Sequence, residues 1–286
     1  SLGFILSVDN VYSKTILRVF PDHLMVHTDH MKDQVVNYAE YPRKQMRVSG
    51  IPQYDRYFKR AGIMPRDEFI ASIGGDPSKK LIVYAVSGKA GLHIDKGIVK
   101  MIREALDKGN IAPESQILFR AYPRYDFSPE KAARVAEELG CLGRPVMAHV
   151  GEGRYNWEFD EDAITFLTNT LAHADVVVAL YTTFFIEAAF FDKPLIAVGF
   201  DERNVSYWDS AQRFFEWDHL RELYALGGIR RVASKEELID AINTAFKEPS
   251  ALHEGRMRII ERQSQFTDGK SGARVAGIIL DVLRGA

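Results

Sequence analysis

The sequence predicts an α/β fold built on parallel β-sheet, and three observations predict it. Wholly apolar stretches such as Val176–Leu180 read as strands covered on both faces, the mark of a parallel sheet. Strand-like and helical runs alternate along the chain, with helices of about ten to fifteen residues, which is the pattern of β-α-β units. The segment Ala174–Val198, ADVVVALYTTFFIEAAFFDKPLIAV, holds such a unit in miniature. It reads as a buried strand, a tight turn carrying Thr182 and Thr183, a helix with Glu187 in its second turn, and a second strand after Lys193-Pro194.

In chain order, strands are expected near 3–7, 23–27, 46–49, 80–86, 115–120, 145–149, 175–180, 194–198 and 229–232. Helices are expected near 29–39, 66–74, 93–109, 129–140, 160–172, 183–191, 217–226, 235–248, 251–264 and 271–284. Ser128-Pro-Glu, Ser234-Lys-Glu-Glu and either Asp268 or Ser271 supply N-caps for the helices that follow them. Gly75 is expected to close the helix at 66–74, and Asp76-Pro77-Ser78 to make a turn that serves as a linker. Residues 1–75 then form an N-terminal α/β piece with its linker, 76–268 a second α/β unit, and 269–286 a closing helix. Because Ser1 falls inside a strand-like run, the first piece is expected to be the remnant of a larger domain. Its three strands would leave an exposed sheet edge.

Composition narrows the class. Hydrophobic residues at 46% and charged residues at 27% are ordinary for a soluble globular protein, and a cytoplasmic location is expected. A net charge of −2 gives no global basic field of the kind that holds nucleic acid. A single cysteine, Cys141, excludes an intrachain disulfide framework and fits a reducing compartment. No apolar run reaches the ~18–20 residues that span a bilayer. The eight histidines show no metal-ligand spacing, so neither a metal nor a cofactor is expected. No Gly-x-Ser-x-Gly elbow or Walker pattern occurs.

In parallel α/β sheets ligands bind at the carboxyl ends of the strands. Thr182 and Thr183, at a helix start beside unpaired backbone N–H groups, suit a phosphate. Glu187 lies within reach of a sugar hydroxyl, so a nucleotide diphosphate and its ribose fit this segment. Ser87-Gly88 opens the loop after the strand at 80–86; it either approaches a phosphate with its backbone or simply turns the chain. Arg120, at a strand end, can hold an anionic oxygen bidentately, and Tyr122 can stack on a base or donate to phosphate; the alternative is a solvated surface loop. Asp9 follows the first strand, where it can act as a general base or make a turn through its own side chain. His219 follows an aromatic cluster, Phe214, Phe215 and Trp217.

With these pieces placed, the chain resembles the GT-B group of nucleotide-sugar transferases, nearest to glycerophosphotransferases and surface-polysaccharide glycosyltransferases. Ser7-Val-Asp9-Asn10-x-x-Ser13-Lys14 looks like that group's Asp-Asn loop. Pro21-Asp22 through His27 followed by Met31-Lys32, Val48-Ser-Gly50-Ile-Pro52-Gln-Tyr-Asp55, Ala174 through Pro194, Gly227-Gly228-Ile229 and Thr267-Asp268-Gly269-Lys270-Ser271 match further segments in order. Where many members carry Arg-Pro-His-Pro this chain has Arg120-Ala-Tyr122-Pro123, so tyrosine replaces the histidine that meets the donor phosphate.

The resemblance implies two Rossmann-like parallel-sheet domains, the N-terminal one truncated. It implies metal-independent transfer of a sugar from a nucleotide diphosphate donor to an acceptor hydroxyl, as in surface polysaccharide or glycan synthesis. The acceptor would be a glycan or lipid-linked, with peripheral membrane association through it, and no nucleic acid would be involved. Asp9 would be the catalytic base. Ser87, Gly88, Arg120, Tyr122, Thr182, Thr183 and Glu187 would hold the nucleotide sugar. A non-hydrolysing nucleotide-sugar 2-epimerase, or a nucleotide-binding partial domain without turnover, shares these features.

Overall fold

A computed structural model describes residues 1–5, 20–87, 92–121, 129–143, 149–150, 157–158, 160–201 and 205–285. It is an α/β fold with two separate parallel sheets, of three and five strands, as the alternating pattern implied. The chain divides into two compact units. The first comprises Ser1–Ala61, Asp218–Gly228 and Glu254–Ala286; the second comprises Gly62–Trp217 and Ile229–His253.

The first unit carries β1 (Leu2–Phe4), β2 (His23–Val26) and β3 (Met46–Val48), parallel and in that order. Gly3 pairs with Leu24 and Leu24 with Met46. Ile5, Leu24, Val26 and Met46 bury one face against Met31 and Val35 of the helix Asp29–Ala39. Thr28 caps that helix by accepting from the Met31 N–H at 3.0 Å. The first N–H, of Asp29, donates to the Gln265 side-chain carbonyl at 2.6 Å.

The helix Ser271–Leu283 takes its cap from far along the chain. Asp55 accepts from the N–H groups of Ser271 and Gly272, each at 2.9 Å. This corrects the expectation that Asp268 or Ser271 caps this helix: Asp268 accepts from the Lys270 N–H and pairs with Arg274 instead. Two segments singled out in the sequence, Gly50–Asp55 and Thr267–Ser271, are therefore partners in one structural joint. Gly50 is required there: its φ is +79°, and a Cβ would sit 2.5 Å from the Ser271 hydroxyl.

The second unit is built on β4 (Lys80–Ala85), β5 (Ser115–Arg120), β8 (Val176–Ala179), β9 (Leu195–Val198) and β10 (Arg230–Val232). They form one parallel sheet in the order β10-β9-β8-β4-β5. Ile82, Tyr84, Ile117, Val178 and Ile196 on one face meet the helices Leu92–Asp107, Pro129–Glu138 and Lys235–Lys247. The alternate residues Leu81, Val83, Leu118, Val177 and Ala197 are buried as well. Burial on both faces is why these strands are apolar without alternation. At the amino end of the sheet Arg66, on the helix Arg66–Ser72, donates to Asp175 at 2.8 Å and to the Lys79 carbonyl at 3.0 Å.

Gly74, with φ +76°, rather than Gly75, takes the left-handed position after that helix. Asp76 makes the expected turn by accepting from the Ser78 N–H and hydroxyl. The strand expected near 145–149 lies almost wholly outside the described residues. Its described end belongs to β6 (His149–Val150), which pairs antiparallel with β7 (Trp157–Glu158) in a sheet of its own. Among the described residues no helix is long and apolar enough to cross a membrane.

Candidate functional site

Three of the expected contact points meet at the carboxyl edge of the five-stranded sheet. Ala85 pairs with Arg120 on one side and with Ala179 on the other, and Ala179 pairs with Ala197. These residues make the last row of the sheet, so Ser87, Arg120 and the turn Tyr181–Thr183 all emerge at the same edge. The Val86 N–H donates to the Arg120 carbonyl at 3.1 Å, which carries the ladder one residue further. The Arg120 guanidinium lies 4.4 Å from the centre of the Phe184 ring. That stack spans the end of β4 and joins the end of β5 to the helix Phe184–Ala189. The guanidinium thus sits at the carboxyl edge, stacked on the first residue of that helix.

The turn after β8 is shaped by its own hydroxyl. Thr182 Oγ1 accepts from the Phe184 N–H at 3.1 Å, and the Thr183 carbonyl accepts from the Ile186 N–H at 2.9 Å. The Thr182 hydroxyl proton stays available to donate. Glu187 is half-buried in the first turn of this short helix, not the second as expected, because the helix begins only at Phe184; Phe185, Ile186 and Ala188 around it are fully buried. The residue before the threonine pair is fixed by aromatic packing. The Tyr181 ring lies 3.8 Å from Phe214 and 5.2 Å from Trp217. The segment bearing these rings is held after β9 by Asp201, which accepts from the Ala211 N–H at 2.8 Å and from the Ser210 hydroxyl.

Ser87 makes contacts that the sequence did not reveal. Its hydroxyl donates to Asp95 at 2.8 Å and its backbone N–H to the same carboxylate at 3.0 Å. The Tyr84 hydroxyl donates to the other Asp95 oxygen at 2.9 Å. Asp95 is fully buried. Burial pushes its carboxyl up to about 7, against the opposing pull of the Ser87 and Tyr84 hydrogen bonds. The signal for it was present: Asp95 stands three, four and seven residues before Ile98, Val99 and Ile102, so it shares the apolar face of its helix.

Asp9, Gly88 and Tyr122 lie outside the described residues. His219 is on the helix Asp218–Ala225, in the first unit. Cys141 is pushed up to about 12 by burial, which leaves it a neutral thiol. Among the described residues no group of three or more His, Cys, Asp or Glu side chains could hold a metal ion.

No protein-family model and no curated protein matches the chain. Solved structures do. The chain is similar to the wall teichoic acid polymerase TagF at 14% identity and a TM-score of 0.56, over 92% of this chain and 58% of that one. The fold is GT-B-like. A putative UDP-N-acetylglucosamine 2-epimerase from Listeria monocytogenes matches at 15% identity and a TM-score of 0.56, over 93% of this chain and 60% of that one. S. aureus MnaA, solved with UDP, matches at 15% identity and a TM-score of 0.54, over 92% and 61%. This chain thus spans about three fifths of each of these GT-B-fold neighbours.

Proposed function

We propose that this chain is a GT-B-type glycosyltransferase that holds a nucleotide diphosphate sugar at the carboxyl edge of its five-stranded sheet and passes the sugar to an acceptor hydroxyl. The observation that carries the reading is the stack of the Arg120 guanidinium on Phe184, 4.4 Å from the ring centre, which brings Arg120 beside the helix that follows Thr182 and Thr183. A cation and hydroxyl donors gathered at one sheet edge can stabilise the charge that grows on a leaving diphosphate. In this reading Glu187 accepts from the ribose, Tyr122 and Gly88 complete the donor contacts, and Asp9 takes the acceptor proton. The acceptor is a glycan or a lipid-linked molecule, the latter bringing the protein to a membrane surface, and the pathway is surface polysaccharide or glycan synthesis.

The test is a thermal-shift panel of UDP, CDP, GDP, ADP and their sugars. Ligand at 100 times its dissociation constant adds about 2.7 kcal/mol of stability. A uridine or cytidine nucleotide is expected to shift the melting temperature, since neighbours of this fold were solved with UDP and with CDPG. No shift with any nucleotide would sink the reading. The second reading is a nucleotide-sugar 2-epimerase, favoured by the structural likeness to such an enzyme. Incubating the bound nucleotide sugar without acceptor separates the two, because an epimerase changes the sugar and a transferase leaves it intact. Binding with no turnover under either condition would identify a nucleotide-holding module.

A further inference from the structure

Asp95 has no part in the chemistry proposed above, yet it is tied to the site by two bonds. Its side chain is fully buried, and it accepts both the N–H and the hydroxyl of Ser87, the first residue past the β4 ladder. Those are the donors that the carboxyl edge would otherwise turn toward a phosphate. The groups facing Asp95 are Tyr84 from β4 and Ser87 from the turn; among the described residues no cation meets it. A carboxylate in that position costs desolvation and keeps its charge only by engaging these donors.

We propose that Asp95 is a positioning residue that competes with the ligand's diphosphate for the donors of Ser87, so that nucleotide binding takes up one proton onto the Asp95 carboxyl. The proposal rests on the donor-site reading. In the ionised form Asp95 holds the Ser87 N–H and hydroxyl inward. A proton from solvent on its carboxylate removes the negative charge and weakens its hold on those donors, which turn to the incoming phosphate oxygens. Burial already brings Asp95 to about 7, so the exchange falls in the neutral range. Affinity is therefore highest below neutrality and falls as the pH rises.

The probe is a UDP-sugar, whose diphosphate diester has no group titrating near neutrality, measured by calorimetry from pH 6 to 9 in buffers of different ionisation enthalpy. For the wild type the expected result is proton uptake on binding and an affinity that falls by up to about tenfold per pH unit above pH ~7. Asp95→Asn is expected to bind with no uptake linked to this step and with a nearly flat profile. Ser87→Ala should weaken binding and reduce the slope. Should Asn not fold, Asp95→Glu serves, with a displaced midpoint as the expected result. A wild type that binds with the same slope as Asp95→Asn would overturn the proposal and leave the donor site standing. No binding of any nucleotide by the wild type would overturn both.

Discussion

At the scale of single residues, the carboxyl edge gives predictions that separate binding from folding. Glu187→Ala should weaken nucleotide binding by about 1–3 kcal/mol, the cost of losing a charged acceptor, with little change in the urea midpoint. A collapse of stability at unchanged affinity would make Glu187 a packing residue. Arg120→Lys keeps the charge but loses the planar fork and the stack on Phe184. An affinity loss of roughly 1–2 kcal/mol is expected, measured against the same nucleotide. Asp95 predicts a pH effect on the protein without ligand. Its folded carboxyl titrates at about 7, against an ordinary value of 3.8. Between those values the folded chain binds the proton that the unfolded chain has lost, so stability falls as the pH rises from about 4 to about 7. Denaturant midpoints across that range should lose this slope in Asp95→Asn.

At the scale of elements, the Asp55 cap is the joint most open to test. Its carboxylate satisfies two N–H groups at the start of the helix Ser271–Leu283. Asp55→Ala should cost about 1–2 kcal/mol, and hydrogen exchange should show the loss as fraying of that helix. The same joint marks how far the sequence could be read. Helices with a clear apolar stripe and strands buried on both faces were legible: the helix Asp29–Ala39 and the strand Ser115–Arg120 fall where the pattern put them. Periodicity reports on burial, and burial was uniform there. The cap was not legible, because Asp55 and Ser271 are 216 residues apart and local caps were available to the eye. The five-residue helix Asp55–Lys59 is too short to carry a period, and the two-residue strand Trp157–Glu158 too short to carry an alternation. At the site, β-α order placed Ser87, Arg120 and Thr182 on one edge. The stack on Phe184 and the bonds to Asp95 depend on side-chain direction, which order alone does not give.

At the scale of the whole molecule, the two compact units differ in how the chain makes them. The chain changes unit at 61/62, 217/218, 228/229 and 253/254. The second unit draws its five strands from residues 80–232, whereas the first is assembled from three separated stretches. Removing everything after His253 should therefore act unequally. The first unit loses Gln265, which holds the start of the helix Asp29–Ala39, and both partners of Asp55. Exchange protection should be lost in β1, β2 and β3 and kept in β4, β5 and β8. Equal loss in both sheets would mean that the units do not fold separately.

The ring cluster beside the threonine turn also equips the protein with an optical reporter. The chain has three tryptophans, and two of them differ in setting, Trp217 being 40% exposed and ringed by aromatic neighbours. Trp208 is 73% exposed, so its emission belongs to the water-facing, red-shifted class. Trp217 packs edge-on against Tyr181 and Phe214, and Tyr181 adjoins Thr182. A ligand on the threonine turn would sit one residue from the ring partner of that indole. In a chain carrying Trp157→Phe and Trp208→Phe the remaining emission comes from Trp217, and nucleotide binding is expected to change it; Trp217→Phe should abolish that change.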